Sequence, residues 1–480
     1  MATPRNISTS TAAGTKLRRG RFTPTYINLL DQIAAAAPKS WIKVNTNRFE
    51  NAWPDPAFRP PYSTSPDPVA HSQAAANSPS VVIKAWCSFA WDDDTMRMPL
   101  FGGGHANGSN GEVYVWEAST QQWALAFHST SFEYLAGCGI RSVAGSLNAP
   151  PSAHTYSNNV WLPKSQRFLS FGGAQHNSGG AWLVSDAGGN TLRVAGPFTL
   201  DLTLAKQGMV CATTGSNTKR IGTASENVNL PGANAWQNRD YRLDHPNTAV
   251  AAKIPGGRTT CVTEENGHDV IYTHAGSGTS KDLARIEIVD GDYRNDIISM
   301  VGAAWSNNAS DVPASYDPKR KLFFNPSFLN STVSDFIGGW DLSVGKAGPS
   351  NRYFSCPPSG VSGPGAADLI ANAGSANYST LYDERRDYFV VMDRDKRLYD
   401  VRPPAGTDYT TGWTARKILD VVDFPSAMEP ETTSTVQYPI SFCGRFKRSK
   451  KLDVYIFLTH NYDGNVWMYK PHDWLDPRNA

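Results

Sequence analysis

Apolar residues in this chain fall in short runs, each entered through a compact polar turn. Trp91–Arg97 leads into Met98–Phe101, Leu162–Phe168 into Leu169–Phe171, and Tyr316–Leu322 into Phe323 and Phe324. Tyr382–Tyr388 leads into Phe389–Met392, and Phe446–Leu452 into Asp453–Phe457. A weaker copy, Thr263–Asp269, leads into Val270–Tyr272. Charged, Asn and Gly residues at a tip, flanked by β-branched and aromatic residues, are the signature of a β-hairpin. A third apolar run follows each hairpin: Glu112–Trp116, Ala181–Val184, Leu283–Ile288, Asp335–Trp340, Arg397–Tyr399 and Asn465–Tyr469. A fourth often carries tryptophan, as at Trp123 and Trp413. The unit is therefore a four-stranded meander, and it recurs.

The turns begin at 91, 162, 263, 316, 382 and 446. Repeats of four strands at this scale predict an all-β chain folded as a single β-propeller of about six blades. The longest interval is read as holding an insertion over 197–247 rather than a seventh blade. The last unit lacks a fourth strand, and Trp41–Val44 resembles a displaced one. The N-terminal strand is thus expected to close the ring, giving a propeller over 41–480 preceded by an arm over 1–40. That arm is basic around Arg18, Arg19 and Arg21, with a short helix predicted over Tyr26–Ala36. A proline-rich connector follows at 54–68.

Composition narrows the class. The chain has 480 residues, with 40 Gly, 32 Pro, 11% aromatic and 18% charged residues. It is too aromatic for disorder and too poor in charge for a coiled coil. A net charge of +2 gives no general case for nucleic acid or a membrane surface. No apolar run is long enough to span a bilayer. The polar N-terminus lacks the apolar core of a secretory signal. The six cysteines form no CxxC pair and are read as buried free thiols.

Pro99–Asn107 contains three consecutive glycines after a strand, followed by Glu112–Glu117 and Trp123. This resembles a kelch repeat, as does Leu169–Gly173 with Trp182 and Asp186. The resemblance covers about 90–475 and implies a kelch-type propeller similar to the central domain of galactose oxidase. That architecture serves adaptors, actin-binding proteins and enzymes alike, so it selects no function. The copper-radical chemistry of galactose oxidase needs a Cys–Tyr pair and ligands partly from a further C-terminal domain. No segment here matches them.

Candidate chemistry is sparse. His105, His176, His274 and His460 each follow the second strand of a unit, with Asn107, Asn177 and Asn461 beside three of them. They are expected to dot one face, each hydrogen-bonded within its own blade's loop or together forming a polar recognition surface, because neighbouring blades stand too far apart to share a metal. No catalytic residue, metal or cofactor is assigned. The acids Asp92–Asp94, Glu264 and Glu265 are read as solvated turn residues, and the basic tip Lys447–Lys451 as pointing outward. Arg18, Arg19 and Arg21 are candidates for docking to an acidic partner.

The expectation is a non-enzymatic structural or recognition protein of a larger assembly. The irregular kelch-like units look like virion proteins of tailed bacteriophages, as nozzle-like or tail-tip subunits made in the host cytoplasm. Other virion proteins and further copies of the chain are the expected partners. A propeller adhesin for a host receptor or surface glycan is one alternative; a galactose-oxidase-like enzyme is another.

Overall fold

The computed structural model describes residues 26–54, 79–83, 86–103, 111–127, 132–135, 139–142, 150, 152–172, 183–185, 191–194, 196–204, 235–239, 241, 245–246, 259–274, 282–289, 292–302, 313–326, 336–343, 352–372, 378–393, 395–420, 444–459 and 461–479. The strands form six antiparallel sheets arranged as the blades of one propeller.

Blade 1 holds Arg97–Phe101, Val113–Glu117 and Gln122–Phe127, with Ser88–Asp92 bridged to the first of these as its innermost segment. Blade 3 is Thr259–Glu265, His268–His274, Leu283–Ile288 and Ile297–Gly302. Blade 4 is Ser315–Asp317, Leu322–Phe324, Ile337–Asp341 and Tyr353–Cys356. Blade 5 is Ser379–Asp383, Tyr388–Met392, Leu398–Arg402 and Trp413–Leu419, extended by Val361–Ser362 running parallel to its outer strand. Blade 6 is Phe446–Ser449, Val454–Thr459 and Asn465–Lys470, and its outer strand is Ser40–Lys43.

Blade 2 differs from the sequence reading. Asn159–Leu162 and Arg167–Ser170 pair as expected, but the third and fourth strands are Phe198–Leu200 and Trp236–Asn238. Leu183–Ser185 instead pairs with Thr191–Val194 in a separate two-stranded ribbon. The region read as an insertion therefore supplies both outer strands of the blade. Side-chain geometry decides the choice: Phe198, Leu200 and Trp236 enter the cluster between blades 1 and 2, where Phe101 lies 4.9 Å from Trp236.

Six hydrophobic clusters fill the seams between blades, one at each junction. Alternation along a strand sends successive side chains into two different seams. Leu100 and Tyr114 pack towards blade 6, while Phe101 and Val113 pack towards blade 2. Both sheet faces are buried, which is why Tyr388–Met392 is apolar throughout rather than alternating. Cys87, Cys261 and Cys356 are buried free thiols, and burial pushes Cys261 up to about 12.

The N-terminal strand closes the ring as predicted. It pairs antiparallel with Asn465–Lys470, from Ser40 opposite Lys470 to Lys43 opposite Trp467. Trp41 sits among Phe446, Phe457 and Tyr469, with its ring 5.4 Å from that of Tyr469. The preceding helix, Ile27–Ala35, buries Leu29, Leu30 and Ile33 in the seam between blades 6 and 1. Lys470 Nζ donates to the carbonyls of Ala34 and Ala36, both at 2.9 Å. Deleting residues 1–45 is expected to lower the melting temperature by many degrees. Trp41→Ala should cost about 3–5 kcal/mol in urea unfolding; a ring that melts unchanged after either change is not closed by this strand.

Candidate functional site: the ion-paired turn face

The turns between first and second strands all emerge on one face of the ring. Five share one backbone design, with a non-glycine residue of positive φ just before the second strand: Met96, Gln166, Lys321, Asp387 and Asp453. Left-handed backbone costs an L-residue roughly 1–2 kcal/mol, so each turn needs fixing. Blades 1, 4 and 5 fix it with their own acid. Asp317 accepts the N–H groups of Lys319 and Arg320 at 2.8 and 3.1 Å, Asp383 those of Arg385 and Arg386 at 3.1 and 3.2 Å, and Asp92 those of Asp94 and Thr95 at 2.9 and 3.2 Å. Blade 3 needs no such acid, because its two-residue turn Asn266–Gly267 has φ of 54° and 84°, which glycine and asparagine tolerate.

Blades 2 and 6 have Leu162 and Ser449 where the others have the acid, and a neighbouring blade supplies it. Asp269 of blade 3 accepts the N–H groups of Lys164 and Ser165 at 3.0 and 2.7 Å. Asp93 of blade 1 accepts the N–H of Lys450 at 2.9 Å and the hydroxyl of Ser449 at 2.6 Å. The reading of Asp92–Asp94 as solvated is therefore corrected for Asp92 and Asp93, whereas Asp94 is exposed as expected. Asp92 is fully buried, and its two neighbours bind blades 6 and 2. Glu264 is half exposed and pairs with Lys164, whereas Glu265 is clamped by Arg285 at 2.8 Å.

The same turns carry polar contacts across every seam. Gln166 donates to Asp94 between blades 2 and 1, and Tyr316 to Glu265 between blades 4 and 3. Arg320 donates to Asp387 at 2.5 and 2.9 Å between blades 4 and 5. Arg386 meets Asp453 at 2.9 Å and Arg448 meets Asp383 at 3.0 Å between blades 5 and 6. Lys451 binds Asp94 at 2.7 Å and closes the circle. Arg448 is only 8% exposed, so part of the basic tip points into a seam rather than outward. The C-terminal segment braces the same face, with Asp473 bound to Arg386 at 2.6 Å and Trp474 Nε1 donating to the Leu452 carbonyl.

Beside this collar, Arg239 and Tyr241 both donate to Asp296 at 2.5 Å between blades 2 and 3, and all three are buried. A cleft of about 260 Å³ adjoins them, lined by Lys164, Arg167, Gln237 and His268. Its charges are matched: Arg167 pairs with Asp201, and His268 with Glu287. A second cleft of about 130 Å³ lies between blades 5 and 6, lined by Lys39, Arg416, Tyr388 and Tyr469. Among the described residues, no group of three His, Cys, Asp or Glu side chains is placed to hold a metal. No helix among them is long and apolar enough to cross a membrane.

Of the residues singled out in the sequence, His274 and Asn461 are described. His274 is 2% exposed, with its ring 5.3 Å from that of Trp340, and Asn461 is 7% exposed. Both are buried rather than displayed, and they belong to blades 3 and 6, on opposite sides of the ring. His105, Asn107, His176, Asn177, His460, Arg18, Arg19 and Arg21 lie outside the described residues. The collar acids were visible as a recurring aromatic–Asp pair, but nothing in the sequence marks Asp93 and Asp269 as serving another blade. No protein-family model matches the chain, and no curated protein matches its sequence.

Hydrogen bonds from Arg320, with help from Lys319 and Tyr382, hold the Asp387 carboxyl well below the usual carboxylate range, and Lys451 lowers Asp94. A carboxylate depressed in the folded state stabilises it above the unfolded value of about 4, and that contribution fades as pH falls through the folded value. Melting temperature is therefore expected to drop below about pH 4, with a shallower slope in Asp387→Asn; equal slopes disprove the contribution. Asp93→Ala and Asp269→Ala should each cost about 1–3 kcal/mol. Faster amide exchange should appear in the next blade, at Lys450 and Ser165 respectively, and exchange confined to the mutated blade rules out capping across the seam.

Proposed function

We propose that the protein is a non-enzymatic structural or recognition subunit of a larger assembly: a rigid ring of kelch type with a tether. The observation that carries this reading is where the tether leaves. Helix Ile27–Ala35 is anchored in the seam between blades 6 and 1, with Gln32 bonded to Gln121 and Asp31 to Arg478. Tyr26, to which the segment with Arg18, Arg19 and Arg21 is joined, lies beside Lys451 on the turn face, where the ion-paired collar stiffens the ring. A stiff ring with a basic arm at one face suits docking to an acidic surface of a neighbouring subunit. The opposite face would then be left to meet a receptor or glycan.

The specific assembly we propose is the tail of a bacteriophage virion, as a nozzle-like or tail-tip component. It rests on the likeness of these irregular units to propellers of such particles. Reading frames for portal, capsid or tail proteins are expected beside the gene, and a locus without them overturns the virion reading. Sedimentation and negative-stain microscopy of the full chain should show ring-like oligomers or stable complexes with a neighbouring gene product. Replacing Arg18, Arg19 and Arg21 with Glu should abolish them without changing the melting temperature. Assembly that survives charge reversal removes the arm from the docking role.

A further inference from the structure

We infer that the cleft between blades 5 and 6 is a docking pocket for an acidic side chain, aspartate or glutamate, of a partner protein. This rests on the reading of the ring as a docking subunit and places one docking contact outside the arm. The cleft lies in the seam beside the turn face. Tyr388 begins the second strand of blade 5, and in blade 6 Tyr455 pairs with Tyr469 where the third strand returns to that face. Arg416 enters from the outer strand of blade 5. Alternation fixes its side: Trp413 and Ala415 pack towards blade 4, so Arg416 leaves towards blade 6 together with Ile418. Lys39 comes from just before the closing strand. Its N–H is bonded to the Lys470 carbonyl at 2.8 Å, which holds its backbone at a φ of 60°. Lysine adopts that conformation only where its surroundings fix it.

No acid is among the residues that line the cleft. Asp400 is buried and accepts Nε and Nη2 of Arg416 at 3.0 and 2.5 Å, and it also faces Arg402 at 3.5 Å. One carboxylate thus serves two guanidinium groups, and Nη1 of Arg416 has no acceptor among the described residues. Lys39 is exposed and, among the described residues, has neither an ion pair nor a side-chain hydrogen bond. His472 adds a half-exposed ring. The cleft therefore meets solvent with a cation in surplus, which one carboxylate from a partner balances.

Size and walls favour a side chain over a free ligand. The volume of about 130 Å³ is below the roughly 300–1,000 Å³ of sites that enclose a whole small molecule, and it suits one protruding group seated as an anchor. The tyrosines offer no face for a sugar ring. All three are buried, the Arg402 guanidinium lies over the Tyr388 ring at 4.7 Å, and the rings of Tyr455 and Tyr469 stack on each other at 5.6 Å. Their edges give apolar walls for the methylenes of an acidic side chain, beside cations for its carboxylate. A single cation in surplus matches a monoanionic carboxylate better than a phosphate dianion.

Calorimetric titration of the full-length protein at low ionic strength, with a capped hexaglutamate peptide as probe and hexaglutamine as control, tests the pocket. One hexaglutamate per chain should bind saturably, and hexaglutamine should not bind. Lys39→Asn, which keeps a residue tolerant of left-handed backbone, and Arg416→Gln should each weaken binding about threefold, and the two together about tenfold. Arg294→Gln removes an exposed charge from blade 3 and should leave binding unchanged. The chain with Arg18, Arg19 and Arg21 replaced by Gln should bind the peptide as the parent does, so failure of the arm and failure of the cleft read out separately. Absence of saturable hexaglutamate binding overturns the pocket. So do cleft variants that bind like the parent, an Arg294→Gln protein weakened as much as they are, or binding that is lost with the charges of the arm. Glucuronate or inorganic phosphate that needs Lys39 and Arg416 and binds more tightly than the peptide overturns the assignment to a protein side chain.

Discussion

Everything in this molecule depends on one sheet being completed from the far end of the chain. Six blades packed in a circle bury both faces of every sheet only when the last is as wide as the others. Blade 6 brings three strands of its own, and Ser40–Lys43 is the fourth. Its backbone satisfies the outer edge of Asn465–Lys470, and Trp41 fills the seam with blade 5. The helix before it fills the seam with blade 1. Without this segment two of the six seams would lose part of their apolar filling and a sheet edge would be open.

Hydrophobic seams are nearly interchangeable, because each receives the same mixture of aromatic and aliphatic side chains from two sheets. The turn face adds directional contacts that are not interchangeable. Asp269 and Asp93 each complete a turn that has no acid of its own, and they do so across particular junctions. Arg386, Asp383, Asp453 and Arg448 form a buried group of two cations and two anions between blades 5 and 6. Buried ion pairs contribute little net stability against apolar packing, yet breaking one is costly. Their effect here is to tie each turn to a specified neighbour and so to stiffen that face of the ring.

Much of this architecture was legible in the chain. The hairpins, their count and the closing strand follow from short apolar runs around polar turns, because that periodicity reflects local backbone geometry. The assignment failed in blade 2, where Leu183–Ser185 and Phe198–Leu200 are both plausible strands by local composition. Only the seam, which takes Phe198 and Leu200 as fillers, distinguishes them. The charged tips misled in the same way. Asp92 and Arg448 look like surface residues from their neighbours in sequence, but each lies beneath a turn or in a seam. His274, expected on one face by its position after a strand, is buried beside Trp340 of the next blade.

By itself, then, the sequence determined an all-β ring, its repeat unit, its six turns and its N-terminal closure, since each is set by interactions within a few residues or by strand periodicity. Tertiary structure alone decided which acid serves which turn and which strands complete blade 2. Those outcomes join residues from different blades, such as Asp93 with Lys450. Separations of that length carry no local signal; packing around the axis brings the partners together.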